Sequence, residues 1–308
     1  MAKFTNPKRV VDVSFPGQLI EGSYMKKSRA LILALSLSTA IGINFVAFPT
    51  ANAAVNPKDH QRVMSYVGGD IHTLTFTKDG LFVTGHQGGS YSKNDGLKWI
   101  AVPSFKNTDI MGWATTNLGY LAGGHTGLYR SMGNGKPFVR FNFYGTTSDV
   151  HSIGAAEKTA YIGSPQVGFL RSVDGGKIWT LANAKFGQGF MGSMLVDPKN
   201  PLRVIAPDMS NGLVVTVDGG KTWKRFGGPD GVMSVDWNPK NNHEIVALGM
   251  GMGAITKNDG KTWTSFPVPT GSAVIARSPA GSRIYVAVLV GDNAKVLSSD
   301  NLGKSWQS

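Results

Sequence analysis

The feature that most constrains this chain is a short motif that recurs six times along the sequence. Five copies read SKNDGLKW, SVDGGKIW, TVDGGKTW, TKNDGKTW and SDNLGKSW, and they end at Trp99, Trp179, Trp223, Trp263 and Trp306. A degenerate copy, SMGNGKPF, ends at Phe138. Successive copies lie 39 to 44 residues apart, about the length of one four-stranded blade of a β-propeller. The repeat therefore predicts an all-β, six-bladed β-propeller of four-stranded blades.

Each copy contains the residues that close a tight turn. In the five full copies the third position holds Asp or Asn, whose side chain can accept hydrogen bonds from the backbone N–H groups of the turn. Glycine two positions later tolerates a positive φ, and the final aromatic residue covers the hairpin. The capping residues are Asn94, Asp174, Asp218, Asn258 and Asn301. A single carboxylate or amide is too few ligands for a calcium cage, so we interpret the turns as structural.

These motifs resemble the bacterial neuraminidase (BNR) repeat, or Asp-box. That repeat occurs in sialidases, the sortilin ectodomain, photosystem II assembly factors and secreted bacterial propellers described as glycosyl-hydrolase-like. The resemblance covers about residues 68 to 308 and implies the propeller fold. It does not imply one activity, because a fold of this kind carries many functions.

The strand order within a repeat predicts how the ring closes. Strands a, b and c precede the box, and strand d begins at its Trp. The last box ends almost at the C-terminus, so we expect the segment HQRVMSYV at 60–67 to pair with the last blade. Because strands alternate in direction, the d-to-a and b-to-c loops share one face, here called the top face. The box turns lie on the opposite face.

Aligning the repeats predicts a ring of side chains around the channel mouth on the top face. The first column of the strand-a starts is Asp70, Asp109, Asp149, Gly189, Gly231 and Gly271. The third column is His72, Met111, His151, Met191, Met233 and Ala273. The b-to-c loops add His86, His125, Asp208, Met209, Met250 and Met252. Most of the histidines and methionines after the leader therefore converge on one end of the channel.

Thioether and imidazole groups together favour a soft metal ion, and Cu(I) suits Met and His in the absence of Cys. We therefore expect a copper site formed by His72, Met111 and His151, with His86 and His125 close by. The other candidate ligands are Met191, Met233, Met250 and Met252. The acceptors expected for the free imidazole N–H groups are Asp70, Asp109 and Asp149. The alternative is that the methionines fill gaps between blades.

The residues do not indicate sialidase catalysis. The family resemblance implies an arginine triad and a Tyr nucleophile with a Glu partner, but no Arg-Ile-Pro element follows the leader. Glu157 and Glu244 are the only glutamates there, and Arg130 and Arg171 stand just before boxes, at the wrong end. We therefore predict a non-catalytic binding propeller. A glycoside hydrolase using paired aspartates and a protein-docking scaffold of the cell envelope remain alternatives.

The first part of the chain reads as a leader. From Met25 a basic start precedes an apolar stretch, and Ala51-Asn52-Ala53 forms a small-x-small cleavage site. This pattern predicts an over-long start at 1–24, a signal peptide at 25–53 and one propeller domain at 54–308. The expected location is extracytoplasmic in a bacterium, with no membrane span after cleavage. A retained anchor is the alternative.

Composition narrows the expected partners. The chain has no cysteine, which excludes disulfides and thiolate chemistry. After position 53 it has 25 basic and 17 acidic residues, a net charge of +8. The basic residues form no cluster with interleaved aromatics, so nucleic acid is not the expected partner. A cell-envelope protein or an anionic wall polymer is the expected class.

Overall fold

The computed structural model describes residues 64–145 and 149–308, all of which belong to the unit Val55–Ser308. Six sheets form the six predicted blades, and the four strands of each blade are antiparallel. The one helical element of these residues is a 3-10 turn at Pro103–Phe105, and none of their helices could cross a membrane. The over-long start, the signal peptide and its cleavage site lie outside the described residues.

Each blade is a meander of strands. A short strand, β1 (Ser65–Tyr66), precedes the first blade. The first blade comprises β2 (Ile71–Thr77), β3 (Gly80–Gly85), β4 (Gly89–Ser92) and β5 (Ile100–Ala101). The second comprises β6 (Gly112–Thr116), β7 (Gly119–Gly124), β8 (Gly127–Ser131) and β9 (Val139–Phe141). The third comprises β10 (Ser152–Ala156), β11 (Thr159–Ser164), β12 (Gly168–Ser172) and β13 (Thr180–Asn183).

The remaining blades follow the same order. A two-residue strand, β14 (Gly192–Ser193), lies before the fourth blade. The fourth blade comprises β15 (Leu195–Val196), β16 (Val204–Asp208), β17 (Gly212–Thr216) and β18 (Lys224–Gly227). The fifth comprises β19 (Ser234–Asn238), β20 (Asn241–Gly249), β21 (Met252–Thr256) and β22 (Thr264–Phe266). The sixth comprises β23 (Ser272–Arg277), β24 (Ile284–Val290) and β25 (Asn293–Ser299), with β1 as its fourth strand.

The ring closes as the sequence predicts. β1 pairs antiparallel with β25, so that Ser65 lies opposite Ala294. Further along β25, Ser298 bridges to Gln307, the residue after the last box. The two ends of the propeller thus share the outer edge of the sixth blade, and each covers part of β25 that would otherwise be an open edge.

The box turns repeat one hydrogen-bond network in five blades. In the fourth blade the Thr216 hydroxyl donates to Asp218 Oδ1 (2.7 Å), and the Gly220 N–H donates to Thr216 Oγ1 (3.0 Å). The Thr222 N–H donates to Asp218 Oδ1 (3.0 Å), and the Thr222 hydroxyl holds the pKa of Asp218 below its ordinary value. The same network is centred on Asn94, Asp174, Asn258 and Asn301. The Ser or Thr that opens each motif is thus as much a part of the turn as the Asp or Asn.

The box tryptophan joins neighbouring blades. The Trp223 indole N–H donates to Gly220 O (3.1 Å), which folds the ring back over its own turn. The same ring meets Phe169 of β12 edge-on at a centroid distance of 5.0 Å and Phe190 at 4.8 Å. Aromatic pairs at this spacing add attraction beyond the apolar area that they bury. The turn therefore stabilises the contact between the third and fourth blades.

The fourth blade departs from the expected meander at its inner edge. β14 pairs in parallel with β10 of the third blade, and the inner strand of the fourth blade begins only at Leu195. Gly192 has a φ of +65°, a backbone conformation that other residues rarely adopt. The inner strands together line a channel cavity of about 520 Å³, whose wall includes Leu74, Ala114 and Asp236.

Candidate metal centre

Six polar side chains of the top face come from three consecutive blades. Each lies where a strand begins or in a b-to-c turn, at the end of the strands away from the boxes. The first blade supplies His72 in β2 and His86 after β3, and the second supplies Asp109 before β6 and His125 between β7 and β8. The third supplies Asp149 and His151, which directly precede β10. The contacts described below divide these residues into two groups.

The first group consists of His72, His86 and Asp109. His72 Nε2 lies 3.2 Å from Asp109 Oδ1, and His86 Nδ1 lies 3.6 Å from Asp109 Oδ2. The Asp109 side chain is only 7% exposed, whereas that of His86 is 53% exposed. The group is therefore a buried carboxylate with imidazoles between it and the solvent.

The second group consists of His125, Asp149 and His151. His125 Nδ1 lies 3.3 Å from Asp149 Oδ2 and 3.2 Å from His151 Nε2. His151 Nε2 lies 3.6 Å from the same carboxylate oxygen, and the two rings meet edge-on. Gln166, in the b-to-c loop of the third blade, donates from Nε2 to Asp149 Oδ2 (3.3 Å). Gln166 thus adds an amide to the polar contacts of the cluster.

One short contact joins the two groups. His125 Nε2 lies 3.4 Å from Asp109 Oδ2, while the other nitrogen of the same ring faces the second group. Within each group the three candidate donor atoms lie within 4.8 Å of one another. The six residues thus form one continuous chain of contacts across three blades.

Burial shapes the ionisation of the cluster. It raises the pKa of Asp109, although the neighbouring His72 and His125 oppose that shift. It lowers the pKa of His72, against the attraction of Asp109 and Asp70, and it lowers the pKa of His151, where His125 adds to the effect. Burial thus favours neutral imidazoles, and neutral imidazole is the form that binds metal.

Asp109 has close neighbours but no hydrogen bond. Both of its carboxylate oxygens are buried, and neither accepts a hydrogen bond from the described part of the chain. His72 Nε2 is also buried without a hydrogen bond from the described residues, although it lies 3.2 Å from Asp109 Oδ1. Buried polar atoms normally have a hydrogen-bond partner, and one that has none calls for an explanation such as an ion. Imidazole nitrogen and carboxylate oxygen are ligands that first-row transition metals accept.

The structure distributes the other predicted site residues differently. Asp70 is exposed, and its carboxylate accepts the N–H of the next residue, Ile71 (2.7 Å). Met111 is buried, and Met191 is half-buried. The exposed methionines of the candidate set are Met233, Met250 and Met252. The contacts within the two groups are made by imidazole nitrogens and carboxylate oxygens. His72 and His151, which the sequence places in one site, belong to different groups.

Two features of the site were not predicted from the sequence. Asp109 and Asp149 lie directly among the imidazole nitrogens, whereas the sequence analysis assigned them a supporting position behind the histidines. Gln166 was not singled out, although its place in a b-to-c loop, equivalent to the loops of His86 and His125, was a usable signal.

Comparison with known proteins shows the fold. No protein-family model and no curated protein matches the chain. Among solved structures, the Niastella koreensis GH74 enzyme is 16% identical, with a TM-score of 0.56 over 80% of this chain and 46% of that one. The GH74 xyloglucanase from Xanthomonas campestris is 12% identical, with a TM-score of 0.52 over 79% of this chain and 53% of that one.

A third similar structure is YCF48 bound to a D1 peptide. It is 17% identical, with a TM-score of 0.44 over 65% of this chain and 67% of that one. The chain spans about half the length of the two GH74 proteins. At these identities the likeness is that of the propeller fold.

Proposed function

We propose that this protein is a non-catalytic binding propeller whose top face binds a transition-metal ion through the His/Asp cluster. Asp109 is the observation that carries the proposal, because its two buried oxygens face imidazole nitrogens from two blades without a hydrogen bond. A bound cation would contact those oxygens directly. The alternative, a purely structural cluster, leaves that carboxylate unsatisfied.

The energetic argument favours an ion over a structural cluster. A buried polar atom without a partner costs about 1–3 kcal/mol, and more when it is charged. Asp109 Oδ1, Asp109 Oδ2 and His72 Nε2 are buried atoms that lack a hydrogen bond within the described residues. A cation among them would give these atoms a bonding partner. The cluster is thus better suited to hold an ion than to stabilise the fold.

The donor set indicates which ions fit. Soft thioether ligands select Cu(I), whereas imidazole with carboxylate suits divalent ions, of which Cu(II) binds tightest along the first row and Zn(II) also binds well. We therefore propose Cu(II) or Zn(II) rather than the Cu(I) that the methionine column favours. We also propose that the protein is a secreted member of the BNR repeat family. The sequence supports this part through its Asp-box motifs and the leader at 25–53.

A metal titration tests the proposal. Tag-free protein, stripped with a chelator, is titrated with Zn(II) or Cu(II) by calorimetry or against a competing chelator. We expect micromolar or tighter affinity, reduced at least about 10-fold by His86→Ala, since removal of groups around metal sites commonly costs that much. His243→Ala is the matched control, because His243 is similarly exposed (61%) and lies outside the cluster beside Asp259. Binding that is absent, or equally affected by both variants, contradicts the proposal.

Protein docking is the second candidate for the same face. Three exposed methionines, Met209, Met233 and Met250, lie on the fourth and fifth blades, and Met250 is 88% exposed. Methionine surfaces adapt to varied partners. Crosslinking from position 250 in the cell envelope, compared with crosslinking from the box face, tests this role.

A further inference from the structure

The His/Asp cluster is built as two groups, and this division indicates how many ions it takes. Resting on the metal binding proposed above, we propose that the cluster holds two ions, one in each group. We further infer that the ion pair binds a tetrahedral oxyanion of the class of phosphate and phosphate monoesters.

The spacing of the donors argues for two ions. A first-row ion binds nitrogen and oxygen at about 2 Å, so one ion can join only donors that already lie close together. Each group satisfies this condition with three donors, two imidazoles and one carboxylate. His72 and His151 do not share a group, and one ion in either group would leave the donors of the other unused.

His125 connects the two positions. Its Nδ1 faces Asp149 and His151, while its Nε2 faces Asp109 of the first group. The ring therefore belongs to the second group through one nitrogen and contacts the first group through the other. Two ions bound in these groups would be neighbours on either side of the His125–Asp109 contact. A ligand with several oxygens could contact both ions.

Both ions would keep open coordination positions. Three protein donors leave at least one position for water or a ligand, as in zinc sites that bind substrates. The side chains of His86 and His125 are about half exposed, so both groups are open to solvent on the top face. A ligand can therefore reach the pair without any displacement of the blades.

The charge of the loaded centre selects the ligand class. Two divalent ions bring four positive charges, Asp109 and Asp149 remove two, and neutral histidines remove none. Asp70 also acts electrostatically on His72, but its single negative charge still leaves the loaded centre positive. A phosphoryl dianion neutralises this charge and offers several oxygens, so it can contact both ions at once.

Ion counting tests the first half of the proposal. Protein saturated with Zn(II) and freed of excess metal by gel filtration is analysed by mass spectrometry of the metal. We expect two zinc ions per chain in wild type and in His243→Ala. We expect one in His86→Ala, which opens the first group, and one in His125→Ala/His151→Ala, which removes two ligands of the second. Circular dichroism is used to check that each variant is folded, which we expect for His86→Ala because the His86 side chain is about half exposed.

The counting outcomes separate this proposal from the metal binding on which it rests. One ion per wild-type chain at saturation overturns the two-ion centre and leaves metal binding standing. No ion overturns both.

Phosphate titration tests the second half. Inorganic phosphate is titrated into the zinc-loaded proteins by calorimetry, with metal-free protein as the blank. We expect one phosphate per two-ion centre and at least 10-fold weaker binding in each one-ion variant. Equal phosphate affinity in the one-ion and two-ion proteins, or no binding to the two-ion protein, overturns the ligand assignment.

Discussion

Asp109→Asn distinguishes between two roles of Asp109, that of a metal ligand and that of a structural ion-pair partner. The two roles predict opposite effects of the substitution on the stability of the metal-free protein. The Asp109 carboxylate is buried without a hydrogen bond, and burial raises its pKa. An acid whose folded pKa is raised weakens the fold above that pKa, so near pH 7.5 its ionised form is a cost. An uncharged amide of the same shape reduces this cost. We expect metal-free Asp109→Asn to be about 1–2 kcal/mol more stable than wild type.

The same substitution should remove most of the stabilisation that the ion of the first group provides. If the change weakens binding of that ion about 100-fold, it costs about 2.8 kcal/mol of binding free energy. At a free metal concentration of about 100 times the wild-type Kd of the first group, that ion adds about 2.7 kcal/mol of stability to wild type and about 0.4 kcal/mol to the variant. Urea unfolding with and without Zn(II) measures both quantities on one sample.

The result that refutes this reasoning is a destabilised metal-free variant. A carboxylate that stabilises protonated His72 as an ion-pair partner would, on removal, leave uncompensated buried charge and weaken the fold by several kcal/mol. His243→Ala controls for the loss of an ordinary exposed histidine.

Three further predictions concern other parts of the chain. Trp223→Ala should lower the free energy of unfolding by about 3 kcal/mol or more, while the metal affinity of the folded fraction should be unchanged. A loss of metal affinity without a loss of stability would contradict the structural role of the boxes. Intact mass of the secreted protein should correspond to a start at Ala54, and a folded product that begins at Met1 or Met25 would be incompatible with cleavage. Burial raises the pKa of Asp236, which faces Arg277 and lines the channel, to about 6, so its ionisation weakens the fold as pH rises from about 4 through 6. Urea unfolding should therefore show that the free energy of unfolding of Asp236→Asn rises relative to wild type, by up to about 2 kcal/mol, between about pH 4 and 7.5. This figure is reduced for the water that reaches the channel. A difference that does not vary with pH would show that the carboxylate is not buried.

The sequence predicts the propeller well because each blade carries its own local signal. The box motif fixes a turn through hydrogen bonds within five residues, and the repeat length then fixes the number of strands between turns. Closure by β1 follows from the missing strand of the last blade. The parallel pairing of β14 with β10 has no such local signal, because it depends on where the fourth blade lies beside the third.

The site was predicted as a set of positions and not as a set of contacts. Repeat equivalence places Asp70 and Asp109 in the same column, yet Asp70 is exposed and Asp109 is buried. The difference arises from the neighbouring blades. Asp109 lies between the first and third blades, both of which carry top-face histidines, whereas the column position before Asp70 in the ring is Gly271. An alignment of the repeats shows which positions are neighbours in the ring. It does not show the side-chain rotamers that bring Asp109 Oδ2 close to His125.

The distribution of residues between the two faces explains how one fold can be stable and also carry a local site. The same box-turn network recurs in five of the six blades, where it closes the turn on the face opposite the histidines. Among the described residues, the top-face histidines come from three consecutive blades, and the equivalent first-column positions of the other three blades are glycine. Loops that do not hold the fold together can diverge blade by blade. Substitutions on the two faces should therefore differ in their effect on metal affinity, which Asp109→Asn should reduce and Trp223→Ala should leave unchanged.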